Sequence, residues 1–527
     1  MKLNIKLSFL AVFGSLCGIA TAATSITPDM PSGEYDSIVN DSGTLVTLEN
    51  KALTLTGTGD VFNQTVNNSS THVKGGSIAV SNEGDVSVGK NDDAKKNTNK
   101  TLVLTDGASM TGIGDFVVAA KEAGNVLAIT NATISAKTFS IDNGGCQGVN
   151  SVFAGANAKI SVSGVFATET GPTGKSTAGA VFQMSGAGAE ISATTANIGA
   201  VSGTSFAVAD GAKATFATLN VGIGAVSGVQ VDILNATMDV TTLLFGKDVD
   251  TTGHTFVVSG ESAELNHTTS SKADIFGSGS DCHIIVKDGA TFSFADTRRI
   301  FQNVSGSTLE FYNGGHLDSS NPINFGYGKK ARDLDCTPNR IIVGQGGIID
   351  APKSGVNIYS VNSELVVSNG WINTAVTVGY AAGTGYNEST NVALVIQGRS
   401  PRVDLVSLTM AGVSPRVRFE LDREGYAWSG EFAERVAPVD VTNAKSGPTI
   451  PEGAVLEADV KRLALARCGV PIPLITSNYA MNIPNSVIES ANAKGAAGRR
   501  KYSFALSDDG KTLNLTVEPR GLFFVLQ

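Results

Sequence analysis

Glycine or asparagine returns at a near-constant interval along most of this 527-residue chain, at Gly107, Asn131, Gly155, Gly186, Gly211, Asn235, Gly260, Gly289, Gly314, Gly346, Gly370 and Gly398. Seven of the eleven intervals are 24 or 25 residues, and the others run from 28 to 32. A period of that length marks one supersecondary unit, repeated with occasional insertions, whose apolar face only its stacked neighbours can cover.

Three units align without gaps. Apolar residues follow Asn131 at Ala132, Ile134, Ala136, Phe139 and Ile141; Gly211 at Ala212, Ala214, Phe216, Leu219 and Val221; and Asn235 at Ala236, Met238, Val240, Leu243 and Phe245. The shared offsets are +1, +3, +5, +8 and +10. Steps of two are the period of a strand, so each unit holds a short strand, a corner between +5 and +8, and a second strand. The tripeptides Asp106-Gly107-Ala108, Asp210-Gly211-Ala212 and Asp288-Gly289-Ala290 recur at the turn, with Asn131-Ala132-Thr133 and Asn235-Ala236-Thr237 as asparagine versions. Gly and Asn enter left-handed backbone at least cost, which predicts positive φ at the turn positions.

One rung buries too little apolar surface to offset the entropy of ordering it, so parallel pairing with the rungs above and below must supply the rest. The expected fold is all-β: a parallel β-helix (β-solenoid) of about 24 residues per rung with a C-terminal β-rich capping module. Charged residues at only 17% and 60 glycines suit short strands with many corners, and repetition overrides the several domains that length alone suggests.

Residues 1–22 read as a signal peptide. Lys2 and Lys6 flank an apolar run from Leu7 to Ile19, and Ala20-Thr21-Ala22 is of the A-x-A type, so export with cleavage near Ala22 is expected. Leu16 stands before Cys17 where lipoprotein processing favours a small residue. Residues 23–100 read as an N-terminal cap and first coils, 101–410 as the repeat stack, and 411–527 as the C-terminal cap. In that cap Arg416–Leu421, Pro471–Ile475, Tyr502–Leu506 and Leu513–Val517 read as strands, and Asp459–Cys468 as a short helix stopped by Gly469 and Pro471.

A net charge of -9, with no basic stripe interleaved with aromatics, argues against a nucleic-acid partner, and no later stretch is long and apolar enough to span a bilayer as a helix. Cys146, Cys282, Cys336 and Cys468 remain after cleavage and are expected to be free, mostly buried thiols. No C-x-x-C pair suggests zinc or redox chemistry.

The densest group of candidate acids and bases lies between Asp281 and Arg340: His283, Lys287, Asp288, Asp296, Arg298, Arg299, His316, Asp318, Lys329, Lys330, Arg332, Asp333, Asp335 and Arg340. Paired acids on one strand face would need matching offsets from successive turns, and these lack them, so a charged solvated loop is the expected reading. Asp508-Asp509 before Gly510 reads as a turn. Gly112-Ile113-Gly114-Asp115 and Gly277-Ser278-Gly279-Ser280-Asp281 lack the tandem nonapeptides of a calcium roll. His72, His254 and His267 are expected in surface or loop positions, Trp371 inward or at an edge, and Trp428 beside Tyr426 as a candidate sugar-stacking face. No catalytic, cofactor-binding or metal residue is assigned, and no cofactor is expected. Extra residues at Thr168–Gly179, Glu264–Lys272, Gly326–Arg340 and Gly379–Ser389 mark inserted loops, the usual place for contacts on a rigid stack.

The turn-plus-strand coils resemble the right-handed parallel β-helices of the pectate-lyase-like superfamily and of bacterial autotransporter passenger domains. The stretch from Val470 to Ser477, followed by Ser507-Asp508-Asp509-Gly510-Lys511-Thr512-Leu513-Asn514-Leu515, is similar to segments that finish such passengers. No succession of barrel strands follows it, so display is expected to depend on another system. The resemblance implies an exported, non-catalytic structural or adhesive β-solenoid, extracellular, at the cell surface or periplasmic. Its expected partners are cell-surface glycans or other surface proteins. The alternative it implies is a polysaccharide lyase or glycoside hydrolase on the same coil.

Overall fold

The computed structural model describes residues 23–89, 98–119, 123–142, 148–169, 178–268, 275–294, 298–301, 304–319, 321–325, 337–359, 361–380, 389–497 and 500–518. Residues 1–22, expected to be a signal peptide, and Cys146, Cys336, Asp296 and the run from Lys329 to Asp335 lie outside the described residues. The chain is an all-β parallel β-helix. It forms two compact units: Met1–Val257 with Ser262–Asn266, and Val258–Glu261 with His267–Gln527.

In the first unit a front sheet takes one short strand from each coil. Leu45–Glu49, Ser70–Lys74, Thr101–Thr105, Val126–Ile129, Ser151–Ala154, Val181–Ser185, Ser205–Ala209 and Gln230–Leu234 pair in parallel. A second, bent sheet stacks Ser109–Ala119, Thr133–Asp142, Lys159–Glu169, Glu190–Ile198, Lys213–Val221 and Thr237–Phe245. The corner between offsets +5 and +8 is a bend within one continuous strand: Ala217 and Thr218 both turn outward between buried Phe216 and Leu219. In Lys159–Glu169 the same bend absorbs one extra residue as a bulge: Val162 and Phe166, four apart, pair with Ala136 and Phe139, three apart.

All fifteen aligned apolar positions, from Ala132 to Phe245, are buried. Phenylalanines then stack through the core from coil to coil. Phe139 lies 4.9 Å from Phe116 with parallel rings and 5.6 Å from Phe166, while Phe182 stacks on Phe206 at 4.7 Å.

The turns explain the Asp-Gly-Ala signature. Ala108 N–H donates to Thr105 O, Ala212 N–H to Ala209 O and Ala290 N–H to Lys287 O. Both central residues of each turn have positive φ: 58° and 82° at Asp106-Gly107, 54° and 81° at Asp210-Gly211, 58° and 86° at Asp288-Gly289. That is the type I′ pattern, which Asp-Gly tolerates best. Positive φ holds at all the predicted turn positions except Gly155 and Gly370. Near Gly155 the left-handed residue is Asn157, and near Gly370 it is Asn369. Gly370 is needed for a different reason, since a Cβ there would sit 2.5 Å from Val343 O. Asn235, at φ 49°, has no such crowding. Asn235→Ala is expected to lose about 1 kcal/mol and Asn235→Gly only a few tenths, read from urea midpoints.

A buried polar ladder joins successive coils just before the front strands. In the first unit Lys100 N–H donates to Asn125 Oδ1 (3.1 Å), Asn125 N–H to Asn150 Oδ1 (2.9 Å) and Val229 N–H to His254 Nδ1 (3.1 Å). In the second, Cys282 N–H donates to Ser307 Oγ (3.2 Å) and Ser307 N–H to Asn339 Oδ1 (3.0 Å). These corner amides are too deep for water, and a side chain of the next coil satisfies each one.

The second unit repeats the plan. Its front sheet runs His283–Lys287, Thr308–Tyr312, Asn339–Val343, Ser363–Ser368, Val392–Gly398, Arg416–Leu421 and Val455–Asp459. Parallel pairing thus continues past residue 411, where only the sequence spacing becomes irregular. The helix expected over Asp459–Cys468 is absent: Val455–Asp459 is a strand paired to Arg416–Glu420, and only a 3₁₀ turn, Leu465–Arg467, follows. Tertiary pairing overrides local helical propensity there.

The stack closes with antiparallel strands, Thr512–Val517 pairing with both Ile472–Thr476 and Tyr502–Leu506. An unanticipated helix, Asn485–Ala497, buries Val487, Ala491 and Gly495 along one ridge. Gly495 allows the close approach, because a Cβ would lie 2.3 Å from Tyr502 O.

Candidate functional site

Of the acids and bases expected between Asp281 and Arg340, the structure brings a few together on the outward face of the second unit's front sheet. His283 Nε2 lies 3.3 Å from Asp281 Oδ1, and its Nδ1 lies 2.7 Å from Thr308 Oγ1 on the next coil. Thr308 Oγ1 donates to Glu310 Oε1 (2.5 Å), and Tyr312 Oη donates to Glu310 Oε2 (2.7 Å). Register places His283 opposite Thr308, and Lys287 opposite Tyr312.

The electrostatics match this wiring. A hydrogen bond to Glu310 and the charge of Asp281 raise the His283 pKa despite burial. Burial pushes the Glu310 carboxyl up, but hydrogen bonds from His283, Thr308 and Tyr312 outweigh it and hold the group low. Burial, then the Glu310 charge, raises the Tyr312 phenol. The groups are committed to one another, so the cluster ties two coils together and presents no unengaged base.

The other candidates are dispersed. Arg340 pairs with Glu364 at 2.8 Å, Lys287 lies 3.7 Å from Asp288, and Asp318 is exposed on its own strand. Among the described residues, no group of three or more His, Cys, Asp or Glu side chains is placed to hold a metal ion. Asp115, from the glycine-aspartate fragment, accepts from Thr138 Oγ1 at 2.5 Å. Cys282 is buried and Cys468 half-buried.

Two histidine expectations are corrected. His254 and His267 are interior, at 0% and 1% exposure. His254 occupies the corner ladder and meets Phe245 edge-on at 6.3 Å, and burial lowers its pKa to about 4. His267 packs edge-on against Phe294 at 6.4 Å. His72 is half-buried on the front face, its Nε2 2.8 Å from Thr105 Oγ1.

Both tryptophans belong to a clamp that the sequence did not reveal. Trp371 points outward and donates from its indole to Asp404 Oδ2 (2.8 Å). Arg402 stacks its guanidinium over Trp371 at 4.9 Å and over Phe432 at 3.4 Å, while Arg435 donates to Asp404 Oδ1 at 2.5 Å. Trp428 donates to Pro401 O, stacks near Tyr426 and has Arg435 5.7 Å from its ring. Its ring is thus engaged by the clamp, and the sugar-stacking role is not supported by this placement.

Beside the clamp, at the corner where front strands end, lies a cavity of about 660 Å³. Its floor is one outward column, Ser368, Gln397, Glu420 and Asp459, in register on four successive coils. Arg399, Asp422, Lys461 and Arg462 rim it. A second cavity of about 770 Å³ shares Asp459 and Lys461 and reaches Tyr502. No signal at the sequence level marks this site, because its residues come from coils of unequal length.

No protein family and no curated protein matches this chain.

Proposed function

We propose that this is an exported, non-catalytic β-solenoid, acting extracellularly or at the cell surface as a structural or adhesive element in the manner of the autotransporter passengers it resembles. The observation that carries the reading is where insertions fall. The long intervals place extra residues between 169 and 178 in the first unit, and between 268 and 275, 325 and 337, and 380 and 389 in the second. In each unit every such segment lies between the end of a bent-sheet strand and the next front strand. One corner therefore tolerates length change while strand registers are kept, which is how a rigid scaffold carries variable contacts. Cell-surface glycans or other surface proteins are the partners this arrangement suits.

Shortening 326–336 or 381–388 to a Gly-Ser linker is expected to abolish adhesion to cells while circular dichroism stays unchanged. Retained adhesion in every shortened variant would refute the loop reading. The alternative is a polysaccharide lyase or glycoside hydrolase on the same coil. Unsaturated products or new reducing ends after incubation with acidic and neutral polysaccharides and calcium would establish it instead.

A further inference from the structure

We infer that the cleft over Ser368, Gln397, Glu420 and Asp459 is a binding site for a neutral linear oligosaccharide lying along the stack. Elsewhere on the outer faces, polar groups pair across coils, as in Lys159–Glu190, Lys213–Asp239 and Arg340–Glu364. Here the side chains of Ser368, Gln397, Arg399, Asp422 and Arg462 make no hydrogen bond or ion pair among the described residues. Glu420 uses one oxygen on Arg418 (2.9 Å) and leaves the other open. A hydroxyl, an amide, a carboxylate and two guanidiniums thus face one cavity with both donors and acceptors uncommitted, the set that vicinal hydroxyls satisfy.

The spacing fits a polymer. Successive floor residues rise by one strand spacing, about 4.8 Å, so the column repeats on the scale of a sugar unit over roughly 14 Å. Beyond Asp459 the second cavity supplies the half-buried ring of Tyr502 as an apolar wall for a pyranose face. Competing ligands fit less well. Glu420, Asp422 and Asp459 oppose a polyanion, Arg399, Lys461 and Arg462 oppose a cation, and among the described residues Leu421 is the only aliphatic side chain lining the first cavity, too little for alternate side chains of a peptide strand.

The cleft and the insertions occupy different corners of the coil, so this inference goes beyond the loop reading and fails separately from it. The full mature chain is titrated calorimetrically with neutral linear tetrasaccharides of glucose, galactose, mannose and N-acetylglucosamine, and with tetragalacturonate. At least one neutral tetramer is expected to bind, with affinity falling tenfold or more in Gln397→Ala and in the double variant Arg399→Ala with Arg462→Ala. Both variants alter partly or fully exposed side chains, and an unchanged urea midpoint verifies their folding. A loop-shortened variant should bind equally well. Three results would each overturn the inference: no neutral tetramer binding at millimolar concentration, tighter binding of tetragalacturonate, or unchanged affinity in both variants.

Discussion

Phe139→Ala is expected to destabilise the first unit by about 4 kcal/mol, near the upper end for a truncated core aromatic. Phe139 is fully buried and has a ring on either side, Phe116 at 4.9 Å and Phe166 at 5.6 Å. Alanine leaves a gap that neither neighbour can fill, because each is fixed by strand register: Phe116 opposite Phe139, and Phe139 opposite Phe166. Transfer and cavity contributions therefore add, together with the loss of two ring contacts. The stack makes the damage local. Hydrogen exchange should accelerate in Ser109–Ala119 and Lys159–Glu169, and change little in Thr237–Phe245, which shares no contact with the ring. A loss below about 1.5 kcal/mol would mean that the ladder relaxes around the gap, and a uniform acceleration would mean that the unit unfolds as one body.

What the sequence made legible is what repeats. The offsets behind Asn131, Gly211 and Asn235 located inward side chains because a strand's alternation and the identity of each turn are local properties. Where a coil departs from the repeat, local signals gave out. At Gly155 the left-handed residue is Asn157, two residues on, because Ala158 N–H donates to Gly155 O and Gly155 is thus the first residue of its turn, outside the central pair. The helix Asn485–Ala497 presents only a narrow ridge, Val487, Ala491 and Gly495, with little apolar periodicity to betray it.

Polar residues were the harder case. His254 and His267 read as surface residues by composition, yet the corner ladder gives His254 a buried acceptor role that only three-dimensional stacking creates. Trp371 sits behind a turn glycine at an inward-looking offset but faces outward, because Asp404 and Arg402 hold it there. The Asp281–His283 part of the acid-base cluster was visible, whereas Thr308 and Glu310 joined it only through register with the next coil. The cleft has the same origin: Ser368, Gln397, Glu420 and Asp459 share no motif and meet because four strands are in phase.

His254 makes the first unit acid-sensitive. In the fold its Nδ1 accepts the Val229 N–H bond, a role open only to the neutral ring, and burial lowers the pKa to about 4. The unfolded chain titrates near 6.5. Above about pH 6.5 both states are neutral at this residue and its full contribution is present. Between about 6.5 and 4 the unfolded chain takes up a proton that the folded chain refuses, so stability falls with pH, by about 3 kcal/mol in total, and levels off below. Glu169 acts in the opposite sense, since burial raises its pKa against the hydrogen bonds from Thr168, Thr204, Ala180 and Ala200. The native curve alone therefore mixes the two. Asparagine serves the same acceptor role at positions 125 and 150, so His254→Asn keeps an acceptor for Val229 without a titrating group. The difference between native and His254→Asn stability is expected to shift in favour of the variant by about 3 kcal/mol from pH 7 to pH 4. Parallel curves for the two proteins would show that His254 does not titrate between the folded and unfolded states, and so is not held neutral at the corner.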